Sequence, residues 1–215
     1  MPHTHGSAAA AHRGRLVAVF AISLTILVVE VIGSAVTNSL ALLADAGHVL
    51  ADVAGISLAL LAIGFAGRPA TAGRTFGYLR LEILAAIANA VLLFGISAFV
   101  LLEAWRRFNE PVEIATGAMA AFALVGFVGN GVSLMLLRHP QAESLNMRGA
   151  YLEVMGDVAG SVAVIVAALV IAATGFVAAD AVASVFIAVL ILPRTFARLV
   201  CGWRSYAILQ SASLC

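Results

Sequence analysis

The sequence contains no lysine; all twelve of its basic residues are arginine. With its abundant Ala, Val and Gly, that bias points to a GC-rich genome and a bacterial source. Cysteine is almost absent as well. Cys201 and Cys215 both lie near the C-terminus, which excludes a disulfide framework and leaves free thiols. The third scarcity is charge. Asp, Glu, Lys and Arg make up 11% of 215 residues, whereas a soluble globular chain carries about a quarter. A net charge of +1 offers nothing to attract nucleic acid.

What is present is apolar. Hydrophobic residues reach 63% and the mean hydropathy is +1.08. A water-soluble core cannot hide that much oil, so a lipid bilayer is the solvent and the first partner of this chain. Residues 1–15 are polar, with His3, His5, His12, Arg13 and Arg15, and read as a disordered tail. Six apolar segments follow, at about 16–36, 40–63, 81–104, 115–137, 149–173 and 178–196, each near the ~20 residues that cross a bilayer as helix. The runs are long and do not alternate with polar residues, which favours helices over a barrel. The first run carries Glu30 and lacks a clear cleavage site, which argues against a cleaved signal peptide.

Arginine placement sets the orientation. Arg13, Arg15, Arg68, Arg74, Arg80, Arg138, Arg148, Arg194, Arg198 and Arg204 fall on one side; only Arg106 and Arg107 fall on the other. The positive-inside rule then puts both termini in the cytoplasm. Gly67-Arg-Pro-Ala-Thr71 and Pro140 break the chain after the second and fourth segments. The expectation is an all-α membrane protein: a six-helix transmembrane domain over 16–200 and a short cytoplasmic tail over 201–215.

Chemistry concentrates in His48-Val-Leu-Ala-Asp52-Val-Ala-Gly55 and its echo, Glu153-Val-Met-Gly-Asp157-Val-Ala-Gly160. The first and fifth positions of each can hold a metal or a proton. On a helix, residues four apart share a face, so His48 pairs with Asp52 and Glu153 with Asp157. An ionisable group at the centre of a spanning helix costs at least ~2.5–3.5 kcal/mol, so such groups usually face a cavity and have a task. His48 should sit roughly 12 Å from the outer end of its helix, and the Glu153–Asp157 pair roughly 6–12 Å from the inner end of its own. Both pairs can converge near the midplane. One imidazole and three carboxylates suffice for a four-coordinate divalent metal. If helices 1–3 and 4–6 are equivalent halves, their odd number of crossings makes them inverted repeats, a recurring transporter design. The competing structural reading is a polar clamp between helices.

Other intramembrane polar residues carry weaker signals. Asn38, Asn89 and Asn130 suit hydrogen bonds between helices. Glu30 suits the same role or a proton relay. Asp45 suits an outer-shell or pathway position. Asp180 opens the sixth segment, where a carboxylate suits its own helix dipole.

The sequence resembles the cation diffusion facilitator family of zinc and other divalent-metal exporters, over about residues 16–200. The resemblance rests on several stretches. They are Asn38-Ser-Leu-Ala-Leu-Leu-Ala-Asp45-Ala-Gly-His48 running into Asp52, Gly67-Arg-Pro-Ala-Thr71, Arg74-Thr-Phe-Gly-Tyr-Leu-Arg-Leu-Glu82, Asn146-Met-Arg-Gly-Ala-Tyr-Leu152, and Gly156-Asp157. It implies a metal site from helices 2 and 5, alternating access, exchange of metal for protons, and a homodimer. The implied cargo is Zn²⁺ first, with Cd²⁺, Co²⁺, Fe²⁺ and Mn²⁺ open, and no prosthetic group. The implied location is a bacterial inner membrane. Members with this helix 2 motif commonly carry His where Glu153 stands, and carboxylates are harder ligands than imidazole. The family usually continues into a cytosolic metal-binding domain; Ala207-Ile-Leu-Gln-Ser-Ala212 resembles its lead-in. The rivals are an intramembrane metal-dependent hydrolase, using a metal-bound water, and a non-transporting metal sensor or subunit.

Overall fold

The computed structural model describes residues 13–66, 77–142 and 145–193, and within them every regular element is helical. The order is α1 (Arg13–Thr37), α2 (Leu40–Ala66), α3 (Gly77–Asn109), α4 (Thr116–Leu137), a short 3₁₀ turn (Pro140–Ala142), α5 (Leu145–Thr174) and α6 (Ala178–Pro193). Five of these helices are long and apolar enough to cross a membrane; α6 is shorter. The expected six segments are therefore present, most of them extended by a few residues at one or both ends. The reason is physical: in hydrocarbon a helix satisfies its own backbone N–H and C=O groups, so an apolar run of this length has no cheaper conformation. Of the tail expected over 1–15, residues 13–15 instead form the first turn of α1; residues 1–12, the break at Gly67–Thr71, and the stretch 201–215 with both cysteines lie outside the described residues.

Threading alternates. At one end the start of α1 (Leu16, Val19) packs with the end of α2 (Ile56), the end of α4 (Leu137) and the start of α5 (Met147, Ala150, Val154). At the other, the start of α2 (Leu40–Leu42) meets the end of α3 (Val100, Ala104), the start of α4 (Met119, Ala123), the end of α5 (Ala167–Ile171) and the start of α6 (Ala179, Ala181). Helix α1 packs on α2 as α4 packs on α5, and α1 also meets α4 as α2 meets α5. This is the pairing expected of two three-helix halves inserted in opposite senses.

Outward-facing side chains are large and apolar, among them Val28, Ile32, Phe94, Phe99, Leu102, Val128 and Leu169. In water that surface would be a liability; in a bilayer it is the lipid face. Inside, small residues let backbones approach. A Cβ on Gly33 would lie 2.7 Å from Phe122 Cγ, and one on Gly129 would lie 2.8 Å from Ile26 Cδ1. Gly33→Ala should therefore force α1 away from the Phe122 ring. The expected cost is about 1–3 kcal/mol, seen as faster heat inactivation in detergent, whereas Gly14→Ala, in open space, should leave it unchanged.

The turns are built for their positions. Asn38 joins α1 to α2 with φ +63°, a left-handed conformation that Asn tolerates better than most residues. Gly175, φ +72°, ends α5, and its N–H bonds the Ile171 carbonyl at 2.8 Å.

Asp180 is seated differently from the sequence expectation. Its carboxylate does not serve its own helix; it caps α2. Oδ2 accepts the Leu40 N–H at 2.7 Å, while Oδ1 accepts the Ala41 N–H at 3.2 Å and the Ser39 hydroxyl at 2.6 Å. Ser39 Oγ in turn accepts the Leu42 N–H at 3.1 Å, so the first three N–H groups of α2 are satisfied. Arg107 comes within 3.6 Å of Asp180 Oδ2, donates to the Asn38 carbonyl, and bonds Glu103 at 3.1 Å. Helices α2, α3 and α6 are thus tied together at the end opposite the arginine-rich side.

Candidate metal centre

Helix α2 carries His48 and Asp52 one turn apart, and α5 crosses it with Asp157. All three are buried. His48 Nε2 lies 3.8 Å from Asp52 Oδ2 and 3.4 Å from Asp157 Oδ1. One ligand atom from each of the three falls within 4.8 Å of the others. A tetrahedral dication with ~2.0–2.2 Å bonds spaces its ligands roughly 3.3–3.6 Å apart. The 3.4 Å separation matches an edge of such a polyhedron, and the 3.8 Å separation is slightly longer than one. They are too long for strong direct hydrogen bonds, which would bring the atoms within ~3 Å.

The four residues expected to converge do not all do so. Glu153 lies one turn from Asp157 toward the cytoplasmic end of α5, is half-buried, and is not part of the three-atom group. The repeat put Glu153 and Asp157 on the same face, but how far each reaches is decided by where α5 crosses α2. Were the three to hold an ion, there would be room for a fourth donor such as water.

Of the three, His48 lines a cavity of about 230 Å³, bordered also by Asp45 of α2, Gly156 and Gly160 of α5, and Ile187 and Ile191 of α6. At ~30 Å³ per water that space holds several, enough to strip or rebuild part of an ion's hydration shell. Its walls are chiefly apolar apart from Asp45 and His48, so an ion there has few partners other than the cage.

Residues 16–202 match the family described as cation efflux transmembrane domain. The chain belongs to that family. The cation efflux chain is 43% identical to the metal cation efflux system protein CzcD of Cupriavidus metallidurans over 194 residues, which is 90% of this chain and 61% of that protein. It is 45% identical to the zinc transporter ZitB of Escherichia coli over 179 residues, 83% of this chain and 57% of the relative. It is 40% identical to the cadmium, cobalt and zinc/H(+)-K(+) antiporter of Bacillus subtilis over 194 residues, 89% of this chain and 62% of the relative. The chain therefore spans about three fifths of the length of these relatives.

The secondary candidates of the cation efflux chain divide into separate roles. Asn89 Nδ2 donates to the Ala51 carbonyl of α2 at 3.2 Å, the interhelical bond expected of it. Asn38 is a turn residue whose carbonyl accepts from Arg107, away from the cage. Asn130 is fully buried, yet neither amide atom has a hydrogen-bond partner among the described residues. Asp45 stands one turn before His48 and accepts the Ser161 hydroxyl at 3.3 Å. Glu30 reaches from α1 into the space beside Gly126 that Ser161 also borders. Ser161 was missed by sequence reasoning, though its place four residues after Asp157 puts it on the same face.

Proposed function

We propose that this chain is the membrane-spanning unit of a divalent-metal exporter that moves Zn²⁺ out of the cytoplasm in exchange for protons. The observation that carries the reading is the buried trio of His48, Asp52 and Asp157, drawn from two helices with one ligand atom of each within 4.8 Å of the others, His48 lining a cavity. The names of the relatives support the same class of cargo.

In this reading the ion binds His48 Nε2 and the two carboxylates, with Glu153 able to join from its neighbouring turn. Three ligands carrying two negative charges neutralise a dication, which lets it sit in hydrocarbon. Rocking of one half against the other then changes the side to which the cavity opens. Protons from outside compete for the same donors and release the ion. Imidazole is suited to this exchange because it ordinarily changes charge near neutral pH. The homodimer implied by the family belongs to the same proposal.

The test is flux. In inverted vesicles, uptake of Zn²⁺ accompanied by alkalinisation of the lumen is the expected result. Zinc binding with no flux would replace the exporter by a sensor or subunit. Substituting Glu153→His softens the donor next to the trio. It should raise preference for Zn²⁺ over Mn²⁺ in competition flux on the order of tenfold, the lower end of what neighbouring groups do to metal affinity. An unchanged preference would remove Glu153 from the site.

A further inference from the structure

A second ionisable group lies beside the trio, and the metal reading makes no use of it. Glu30 of α1 and Asp45 of α2 are 0% and 1% exposed, and both carboxyl groups converge on Ser161: Asp45 Oδ2 accepts its hydroxyl, and Glu30 Oε1 borders the same small space beside Gly126. As carboxylates both can only accept. Both oxygens of Glu30 and Oδ1 of Asp45 lack a donor among the described residues; only Asp45 Oδ2 has one, the Ser161 hydroxyl. The neighbourhood is shaped to fit them. A Cβ on Gly126 of α4 would lie 2.7 Å from Glu30 Oε1 and 3.3 Å from Ser161 Oγ, and one on Gly160 of α5 would collide with Asp45 Oδ1. Two glycines thus leave space that two carboxyls fill.

Among the described residues no Arg or Lys balances this pair. Helix α4 carries no charged residue, and α1 offers only Glu30 at this depth, its arginines being at the far end. Helix α2 adds His48 and Asp52; α5 adds Glu153 and Asp157. Apart from the imidazole, every neighbour is acidic. Two neighbouring carboxylates repel strongly in such a setting, so at rest one proton is shared between them and the doubly ionised pair is only a short-lived step.

Position gives the pair a task. Helix α2 runs from outside to inside, so Asp45 is one turn outward of His48. Helix α5 runs the other way, so Ser161 is one turn outward of Asp157. Glu30 is seven residues from the outer end of α1, roughly 10 Å at 1.5 Å per residue. All three agree on a level between the trio and the outer surface, and Asp45 also lines the cavity that holds His48.

We propose that Glu30 and Asp45 form a proton-binding site one turn outward of the metal cage, loaded from the outer side and emptied through the cavity. This rests on the exporter reading for its role in exchange, though not for its existence. Loading forms one O–H bond on a carboxylate oxygen, giving an acid–carboxylate pair. Emptying breaks that bond and hands the proton to cavity water, leaving two carboxylates that the opposite step refills. Glu30 acts on the cargo only through this proton and is a coupling residue, not a ligand.

The experiment counts protons per Zn²⁺ in proteoliposomes of the full chain, with zinc and pH dyes read together. Glu30→Gln should lower the count by one. Gly126→Ala, which pushes the Glu30 carboxyl aside, should do the same. Ser161→Ala keeps both carboxyls but removes the donor that favours the ionised form, so it should keep the count and move the external pH midpoint upward. An unchanged count in Glu30→Gln, or an unmoved midpoint in Ser161→Ala, overturns the proposal. Flux that requires K⁺ at constant pH, and loses that requirement in Glu30→Gln, would assign the pair to an alkali cation and overturn the proton. A readout independent of transport is the infrared band of a buried carboxylic acid, expected in the wild type and absent in Glu30→Gln. Its absence from the wild type would refute the pair even if zinc moves. Its presence in a chain that moves no zinc would instead refute the exporter.

Discussion

Replacing Asp157 by alanine is expected to abolish Zn²⁺ uptake into inverted vesicles, a loss of more than about 100-fold. Removing a group that merely supports a ligand already costs 10–100-fold in metal affinity, and Asp157 is closer to the chemistry than that. It is the one α5 member of the trio, 1% exposed and 3.4 Å from His48 Nε2. Without it the remaining donors, His48 and Asp52, belong to a single helix. In the proposed mechanism an ion held by one helix would not follow movement of α2 against α5, so exchange should fail even where weak binding survives. Asp157→Asn should be nearly as severe, because the amide keeps the shape but not the charge that a dication needs in a medium of low dielectric. Equal rates of uptake in the wild type and Asp157→Ala would show that the ion does not pass through this trio.

The second large effect concerns stability. Asp180→Ala removes the acceptor for the Leu40 and Ala41 N–H groups and for the Ser39 hydroxyl, all buried. A lost helix cap costs about 0.5–2 kcal/mol, and each buried donor left without a partner about 1–3 kcal/mol. Ser39 still serves Leu42, and some relaxation will follow, so the expected loss is roughly 2–4 kcal/mol. For a chain of this size that lowers the thermal midpoint in detergent by about 5–15 °C. Asp180→Asn keeps one oxygen acceptor and should lose about half as much. The damage should appear as splaying of α2 from α6 at the outer end, read by faster labelling of a reporter cysteine at Ala41. A midpoint unchanged in Asp180→Ala would mean that water replaces the carboxylate at no cost.

How much of this was open to a reader of the sequence depends on the reach of each interaction. His48, Asp52 and Asp157 were legible because four-residue spacing fixes a common helix face, and because charge inside an apolar run is costly without a task. The inverted halves allowed the two helices to bring their charged faces to one level, though not which of those groups would meet. Glu153 obeys the same local rule and yet stands apart from the trio. Local spacing sets the direction of a side chain but not its distance from a partner on another helix. Asp180 shows the same limit more sharply. Its sequence neighbours pointed to its own helix end, while its bonds go to residues about 140 positions earlier. The Glu30–Asp45–Ser161 group drew on three helices, and the two glycines that make room for it signalled only small size.

By itself the sequence determined the solvent, the number of spans, their alternating direction and the faces that carry charge. Each of these follows from the balance of apolar and polar atoms along one stretch of chain, since a helix in lipid satisfies its backbone internally. Tertiary structure alone decided which charged groups touch: three around the cage, two beside it, and one capping a distant helix. Those distances come from how helices cross and how closely glycine lets them approach, and no single stretch of chain contains that information.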